Sequence, residues 1–283
     1  MLPETQALVD AIVSLKQSNS FFKSYFLPFL PVVISTFAGF MIASYNFKNQ
    51  EAIRADAKKI DDANKFIVQI DSAFQSLISM KSRYQFHMDN DPIQRALSFG
   101  SINCYFSEIK GVENLVFLAK ANKAKEGDPY YVTWNNIPRI NAMVGNYIYL
   151  TQRVVARNKV REQLDECLPS NEKGEQYIDF SKINPKTLHL IRLLINETEI
   201  VVSMTDSLIL EINSFLIGIT KAIDDSVNFK KNKHLVTLVE FKVNNPFILK
   251  SLEPIIRPDF IRLAEALGID EEQARSNFDS GYF

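Results

Sequence analysis

The sequence predicts an all-α protein: a single N-terminal transmembrane helix followed by an up-down helical bundle with a long stalk helix. Residues 25–45, YFLPFLPVVISTFAGFMIASY, contain no charged side chain. Apolar residues further along the chain recur at spacings of three, four and seven, which is the period of a helix face. Nine glycines and eleven prolines are few for 283 residues and argue against a turn-rich sandwich or barrel.

Composition and motifs exclude several classes of function. The formal net charge of -1 provides no electrostatic pull towards nucleic acid, so we do not expect a nucleic-acid partner. Cys104 and Cys167 lack the spacing of a metal site and indicate two buried thiols in a reducing compartment. Walker, GxGxxG, HExxH, GxSxG and EF-hand patterns do not occur. We therefore expect neither a metal nor a cofactor, and the common enzyme classes are disfavoured.

The predicted transmembrane helix occupies residues 25–45. About 20 apolar residues span a bilayer core, and the Leu, Ile, Val and Phe side chains of this segment contribute about -3 to -6 kcal/mol to insertion. Tyr25 and Tyr45 lie where an interfacial aromatic belt is expected. A cleaved signal peptide and a buried helix of a soluble protein are the alternatives.

A second apolar run, residues 200–219, serves as a comparison. It holds Asp206 and Glu211, and an acid near the centre of a span costs about 2.5 to 3.5 kcal/mol, so the two acids cancel the gain from the apolar residues. We expect one membrane crossing only. Because the two acids lie outside the apolar rows of their helix, we place them on a solvated edge rather than in a buried pair.

The positive-inside rule predicts the orientation. Residues 1–24 contain Lys16 and Lys23, whereas five basic residues follow the span within twenty positions. These are Lys48, Arg54, Lys58, Lys59 and Lys65. The C-terminal part is therefore expected in the cytoplasm, behind an inner or plasma membrane. A bundle that faces outward, as in some receptors, is the alternative.

Short and long helical segments flank the span. Residues 1–24 form a short amphipathic segment, in which Leu8, Ile12 and Leu15 share a face suited to the membrane surface, or else a plain lead-in. Residues 46–90 form the stalk helix, free of proline and glycine from 48 to 88. One apolar seam runs along it: Ile60, Ala63, Ile67, Ile70, Phe74 and Leu77. This seam predicts a coiled coil with a second chain or, as the favoured alternative, packing within its own chain.

The bundle core is assigned to residues 91–230. A second helix begins with Asp91 as cap and Pro92 as first residue and runs to about residue 124. A third begins at Asn136 and Pro138 and ends near Cys167. A fourth begins at Asn184 and Pro185 and carries two apolar rows, typical of a central helix. The rows are Leu188, Ile195, Val202, Ile209, Leu216 and Ile223, and beside them Leu194, Val201, Leu208 and Phe215.

The last segment, residues 231–283, is predicted to form short helices that pack on the bundle. Prolines at positions 246, 254 and 258 interrupt it, so no long helix fits there. Asp270 is placed to cap the last short helix, whose first turn is acidic.

Arg83 and His87 are the best candidates for chemistry. They are four residues apart, so on a helix they share one side, where the histidine would accept a proton from a ribose hydroxyl and the arginine would stabilise phosphate charge. The pair resembles that of the all-helical HEPN ribonucleases, although their usual spacing has four to six intervening residues and this one has three. The resemblance implies a metal-independent, membrane-tethered ribonuclease. The alternative is an exposed arginine and a histidine near a helix end.

Two further segments are candidate contact sites. The loop PYYVTWNN concentrates Tyr130, Tyr131 and Trp134, which suit a ligand or partner site if exposed and otherwise fold back as a lid on the core. The run FKKNKH carries three lysines that suit anionic lipid or nucleic acid, or else form a solvated turn. They are Lys230, Lys231 and Lys233.

Small residues in the predicted span indicate assembly. Ser35, Gly39 and Ala43 recur every four residues, a strip that allows close approach of membrane helices. Together with the bundle, this strip predicts a non-enzymatic interaction, signalling or membrane effector module that works through self-association. The expected partners are the lipid bilayer, further copies of the chain and a cytoplasmic protein. Bacterial defence or signalling fits this outline, and the ribonuclease and the outward-facing sensor are the alternatives.

Overall fold

The computed structural model describes residues 27–98, 100–121, 134–169, 183–227, 237–242 and 245–279, together with Gln6, Val9, Asp10, Val13 and Ser14. Over these residues the structure is helical and contains no strand, so the all-α prediction is confirmed. The chain divides into two compact units, Met1–Asp56 and Ala57–Phe283. The elements are α1 (Leu30–Ser82), α2 (Pro92–Ser98), a 3₁₀ helix η1 (Val112–Ala121), α3 (Ile137–Cys167), α4 (Pro185–Ser226), α5 (Pro246–Ser251), α6 (Phe260–Leu267) and α7 (Glu271–Phe278).

The N-terminal part of α1 presents apolar side chains all round. Its most apolar stretch of 18 residues has no residue buried inside the protein. Phe37 is 63% exposed, Phe40 70% and Ile42 62%. By length and composition, α1 and α4 are the helices of the described chain that could cross a membrane, but 56% of the corresponding stretch of α4 is buried. The apolar stretch of α1 is therefore uncovered, whereas most of that of α4 is buried in the protein.

The C-terminal part of α1 belongs to the bundle core. All six residues of the predicted stalk seam are buried, and they cluster with residues of α3, α4 and η1. Phe66 meets Phe215 of α4 edge to face, with ring centroids 5.8 Å apart. The seam therefore packs within its own chain, and these contacts do not support a coiled coil with a second chain.

Local capping signals set where the helices begin. Asp91 Oδ1 accepts hydrogen bonds from the backbone N–H groups of Ile93 and Gln94, at 3.0 and 2.9 Å. The N-cap side chains of α3, α4 and α7 accept bonds from the third residue after the cap in the same way; they are Asn136, Asn184 and Asp270. A proline in the first turn follows three of these four caps. The predicted helix starts are therefore confirmed. They could be predicted from the sequence because capping depends on neighbouring residues alone.

The second helix is shorter than predicted. Instead of running to about residue 124, α2 ends at Ser98, and a non-helical segment precedes η1. Side chains of α3 replace the missing helical donors. Arg157 Nη2 donates to Ala96 O at 3.3 Å and Nη1 to Gly100 O at 2.9 Å, and Arg161 Nη1 donates to Leu97 O at 3.0 Å. The carbonyls at the end of α2 therefore have partners without further helix.

The placement of Asp206 and Glu211 on a solvated edge was wrong. The side chain of Asp206 is 16% exposed and that of Glu211 only 6%. Asp206 Oδ1 lies 2.8 Å from Lys81 Nζ of α1, and Glu211 Oε1 lies 3.9 Å from Arg139 Nε of α3. Position relative to the apolar rows did not reveal the burial, because cations on neighbouring helices compensate the two acids.

The C-terminal helices pack on one part of α4. Phe260, Leu263 and Ala264 of α6 join Leu190 and Leu194 of α4 in a second apolar cluster. Among the described residues, short helices thus follow α4 and pack against it. Helix α6 ends at Leu267, and its C-cap is Gly268, whose φ of 73° lies in the left-handed region where glycine carries no Cβ penalty.

Trp134 and Gly218 form a tight contact in the core. The indole is 4% exposed, meets Phe215 edge to face with centroids 5.1 Å apart, and donates from Nε1 to Ser214 Oγ at 3.2 Å. A Cβ placed on Gly218 would lie 2.5 Å from Trp134 Cδ1. Only glycine lets the ring approach α4 at this position.

We expect Gly218→Ala to lower the free energy of unfolding by about 1–3 kcal/mol, because the ring must leave its site to admit the methyl group. Denaturant titration measures the loss, and emission from Trp134, the single tryptophan, reports the displacement of the ring.

The matched control is Gly145→Ala on the exposed face of α3, where an added Cβ meets nothing within 4 Å. This change should raise stability by about 0.5–1 kcal/mol, since alanine favours helix. Equal effects of the two changes would contradict the packing described for Trp134.

Candidate functional site

The structure does not place Arg83 and His87 on a helix. Helix α1 ends at Ser82, and both residues lie in the turn that follows, where both side chains are exposed. Tyr84, between them in sequence, is buried. The described residues show no hydrogen bond between the pair, and the proposed chemistry of Arg83 and His87 stays a prediction.

The predicted contact residues have different outcomes. Trp134 is a core residue, as the fold-back alternative requires, and is not open to a ligand. Tyr130, Tyr131 and the lysines of FKKNKH lie outside the described residues. We call the predicted strip of Ser35, Gly39 and Ala43 the membrane strip. Gly39 and Ala43 are exposed on α1, and a Cβ at Gly39 would meet nothing within 4 Å. The strip remains a prediction.

Sequence reasoning missed a buried charged network in the bundle. Arg95 and Glu199 are each 2% exposed and form a bidentate pair: Arg95 Nε to Glu199 Oε1 at 2.7 Å and Nη2 to Oε2 at 3.0 Å. Arg95 Nη1 also donates to the backbone O of Asp89 and of Ile256, at 2.9 and 2.6 Å. One guanidinium thus joins α2, α4 and the segment before α6.

Lys81 joins a second set of elements. Its Nζ, on a residue that is 1% exposed, lies 2.8 Å from Asp206 Oδ1 and donates to the backbone O of Ser251 and Glu253 at 2.9 and 2.6 Å. The other carboxylate oxygen of Asp206 accepts from the Ile255 N–H at 2.8 Å. This pair fixes the chain after α5 against α1 and α4.

Burial shifts the pKa values of three side chains in this part of the bundle, Tyr84, Arg157 and Glu199. Burial lowers the pKa of the Arg157 guanidinium to about 10, with nearby Arg161 adding to the shift, so Arg157 is still charged at pH 7. Burial, with the charge of Asp206, raises the pKa of the Tyr84 hydroxyl. Burial also raises the pKa of Glu199, and Arg95 opposes that shift. Neither Arg157 nor Tyr84 exchanges a proton near pH 7, which fits a structural network better than a catalytic one.

An open cavity of about 460 Å³ lies between α2, α4 and α6, and we call it the α4–α6 groove. Its floor is apolar, with Ile93 from α2 and Leu188, Ile191 and Ile195 from α4. Residues 188, 191 and 195 follow the spacing of one helix face, so a stripe of α4 faces the groove. Its volume lies within the range of small-ligand sites.

Charged side chains border the α4–α6 groove. Arg262 Nη1 donates to Asp91 Oδ2 at 2.8 Å. Burial alone would raise the pKa of Asp91, but hydrogen bonds from the Gln94 amide and from Arg262 outweigh burial and lower it. Arg192 and Glu265 line the same cavity, both exposed, and the described residues show no ion pair for either. Among the described residues of the rim, Arg192 and Glu265 are therefore a cation and an anion without an ion-pair partner.

Comparison with known proteins assigns no function to these sites. Searches against protein-family models, curated proteins and solved structures find no match to the chain. Among the described residues, no group of three or more His, Cys, Asp or Glu side chains is arranged to hold a metal ion. Conclusions about function therefore rest on the residues themselves.

The Arg95–Glu199 pair generates a stability prediction. Arg95→Met leaves the Glu199 carboxylate buried without its cation, and we expect a loss of about 3–5 kcal/mol in unfolding free energy. The double change Arg95→Met/Glu199→Leu should recover part of that loss, because it removes the stranded charge.

Denaturant titration of the full chain in detergent micelles measures these changes. Lys65→Met is the matched control, because Lys65 pairs with Asp61 at an exposed site and should contribute little. A loss at Arg95 no larger than that at Lys65 would contradict the role of the buried pair.

Proposed function

We propose that the protein is a single-pass membrane protein whose helical bundle is a non-enzymatic interaction module acting through self-association. The observation that supports the anchor is the apolar stretch of α1 with 0% of its residues buried. A helix that is apolar on every side is found either in a large core or in a membrane. Since the described chain supplies no cover for this stretch, a bilayer is the solvent that fits it.

Details of the segment support a crossing. The ring of Tyr45 is 71% exposed at the end where the interface would lie. No charged residue occurs between Lys23 and Lys48. The polar Ser35 side chain satisfies itself by donating from Oγ to Val32 O at 3.0 Å, so it adds little to the cost of insertion.

Helix α4 supports a single crossing rather than two. Over half of its apolar stretch is buried by the bundle, and its acids are paired with Lys81 and Arg139. A charged group at a bilayer centre is costly, whereas here each acid has a cation on a neighbouring helix. We therefore assign α4 to the bundle core.

The distribution of basic residues supports a cytoplasmic bundle behind an inner or plasma membrane. Cys104 and Cys167 are free thiols, half-buried rather than buried as predicted, and their free state supports a reducing compartment. We do not extend the proposal to the ribonuclease, because Arg83 and His87 are exposed in a turn and are not held against each other. The membrane strip and the bundle surface are the candidate surfaces for self-association.

The anchor is tested by two arginines placed in α1. Ile34→Arg/Phe40→Arg adds about 5–7 kcal/mol to the cost of insertion, which cancels the gain of the segment. In flotation on a density gradient, the unchanged chain should rise with the membranes, and the double variant should remain in the dense fractions.

Leu210→Arg/Ile217→Arg is the matched control, since both residues are exposed on α4. This variant should float like the unchanged chain. If the unchanged chain remained in the dense fractions without detergent, the membrane proposal would fail. Loss of flotation in the α4 variant would instead assign the second apolar helix to the membrane.

A further inference from the structure

The α4–α6 groove lies at the N-terminal end of an otherwise buried row of apolar residues on α4. In the row that begins at Leu188, the residues Ile195, Val202, Ile209, Leu216 and Ile223 are at most 4% exposed. Leu188 is 41% exposed and lines the groove. The apolar pattern of α4 therefore extends beyond the surface that the described residues cover. Ile261, on the first turn of the adjacent α6, is 57% exposed.

The charges on the rim restrict what fits there. Asp91 and Arg262 neutralise each other, which leaves Arg192 on α4 and Glu265 on α6. A purely anionic occupant would satisfy Arg192 and be repelled by Glu265, and a purely cationic occupant would do the reverse. The fitting occupant carries an apolar surface with one charge of each sign.

We propose that a second copy of this chain docks on the α4–α6 groove about a two-fold axis. In an isologous contact, a residue i that meets j of the other copy is matched by j meeting i. Arg192 of each copy then faces Glu265 of the other, so the dimer contains two such ion pairs and each of these charges gains one partner. Leu188 and Ile261 of the two copies supply apolar area. This inference rests on the proposed self-association and assigns a surface to it.

Charge reversal tests this contact. The full chain is purified in detergent, and its mass is measured by light scattering over a range of concentrations. Arg192→Glu and Glu265→Arg should each place like charges opposite one another at two points and raise the dimer dissociation constant about tenfold or more. Each effect should shrink in high salt, because the charges lie at the rim.

Mixing the two single variants gives the decisive measurement. One variant carries two acids at the rim and the other carries two bases, so a mixed dimer regains both opposite-charge contacts. We expect the equimolar mixture to dimerise as tightly as the unchanged chain, although each variant alone does not. The double variant Arg192→Glu/Glu265→Arg should also dimerise. Charges acting only within one chain would not produce recovery on mixing.

Lys221→Glu, a charge reversal at an exposed site elsewhere on α4, is the control and should leave the dimer intact. Denaturant titration shows whether each variant is folded, and both altered residues are exposed, so little change is expected. Single variants that dimerise normally, or a mixture that does not recover, would overturn the groove proposal while leaving self-association through the membrane strip. A monomer at all concentrations for the unchanged chain would overturn both groove and self-association, but flotation would still decide the membrane anchor independently.

Discussion

The uncovered apolar surface at the start of α1 is the constraint on which the interpretation of this protein depends. Residues such as Phe37 and Phe40 expose most of their area, and the described chain offers nothing to pack against them. Leaving that area in water costs about 25 cal/mol per Å². The same helix continues to Ser82, where its residues from Ile60 onwards are buried in the bundle. This contrast supports the proposal of a membrane solvent for the first part of α1 and an aqueous bundle for the second.

Within the bundle, buried charges connect elements that apolar packing alone would leave free to shift. Lys81 holds the carbonyls of Ser251 and Glu253, and Arg95 holds that of Ile256. Short C-terminal helices have few apolar residues with which to define their position, so directional bonds to fixed cations set it. In other proteins, replacing a buried ion pair by apolar residues is often neutral for stability. Here we interpret their role as fixing the register of the C-terminal segment on the bundle.

Features encoded by neighbouring residues could be predicted from the sequence. The caps at Asp91, Asn136 and Asn184 and the prolines after them gave correct helix starts, because capping involves residues three apart. The early end of α2 could not be predicted, since it depends on Arg157, about sixty positions away in sequence, donating to the carbonyl of Ala96. The burial of Glu211 was missed for the same reason.

The candidate sites show the same division. Arg83 and His87 were paired on the assumption that a helix continues past Ser82, and no local signal marks the end of α1 there. The α4–α6 groove was not predicted, because Arg192 and Glu265 are brought together only by the packing of α6 on α4. The one sequence signal for the groove is Leu188, which extends an apolar row of α4 beyond the residues that other helices bury.

Accessibility of spin labels in nanodiscs tests the membrane assignment most directly. Cys104 and Cys167 are first replaced, and a single cysteine is then introduced and spin-labelled at Ile34, Phe40 or Ile42. These three positions point in different directions around α1. Each labelled protein is exposed to oxygen and to a water-soluble nickel chelate. The membrane assignment predicts high oxygen and low chelate access at all three, and chelate access at a label placed at Arg54. Chelate access at Ile34, Phe40 and Ile42 equal to that at Arg54 would show that this part of α1 lies in water.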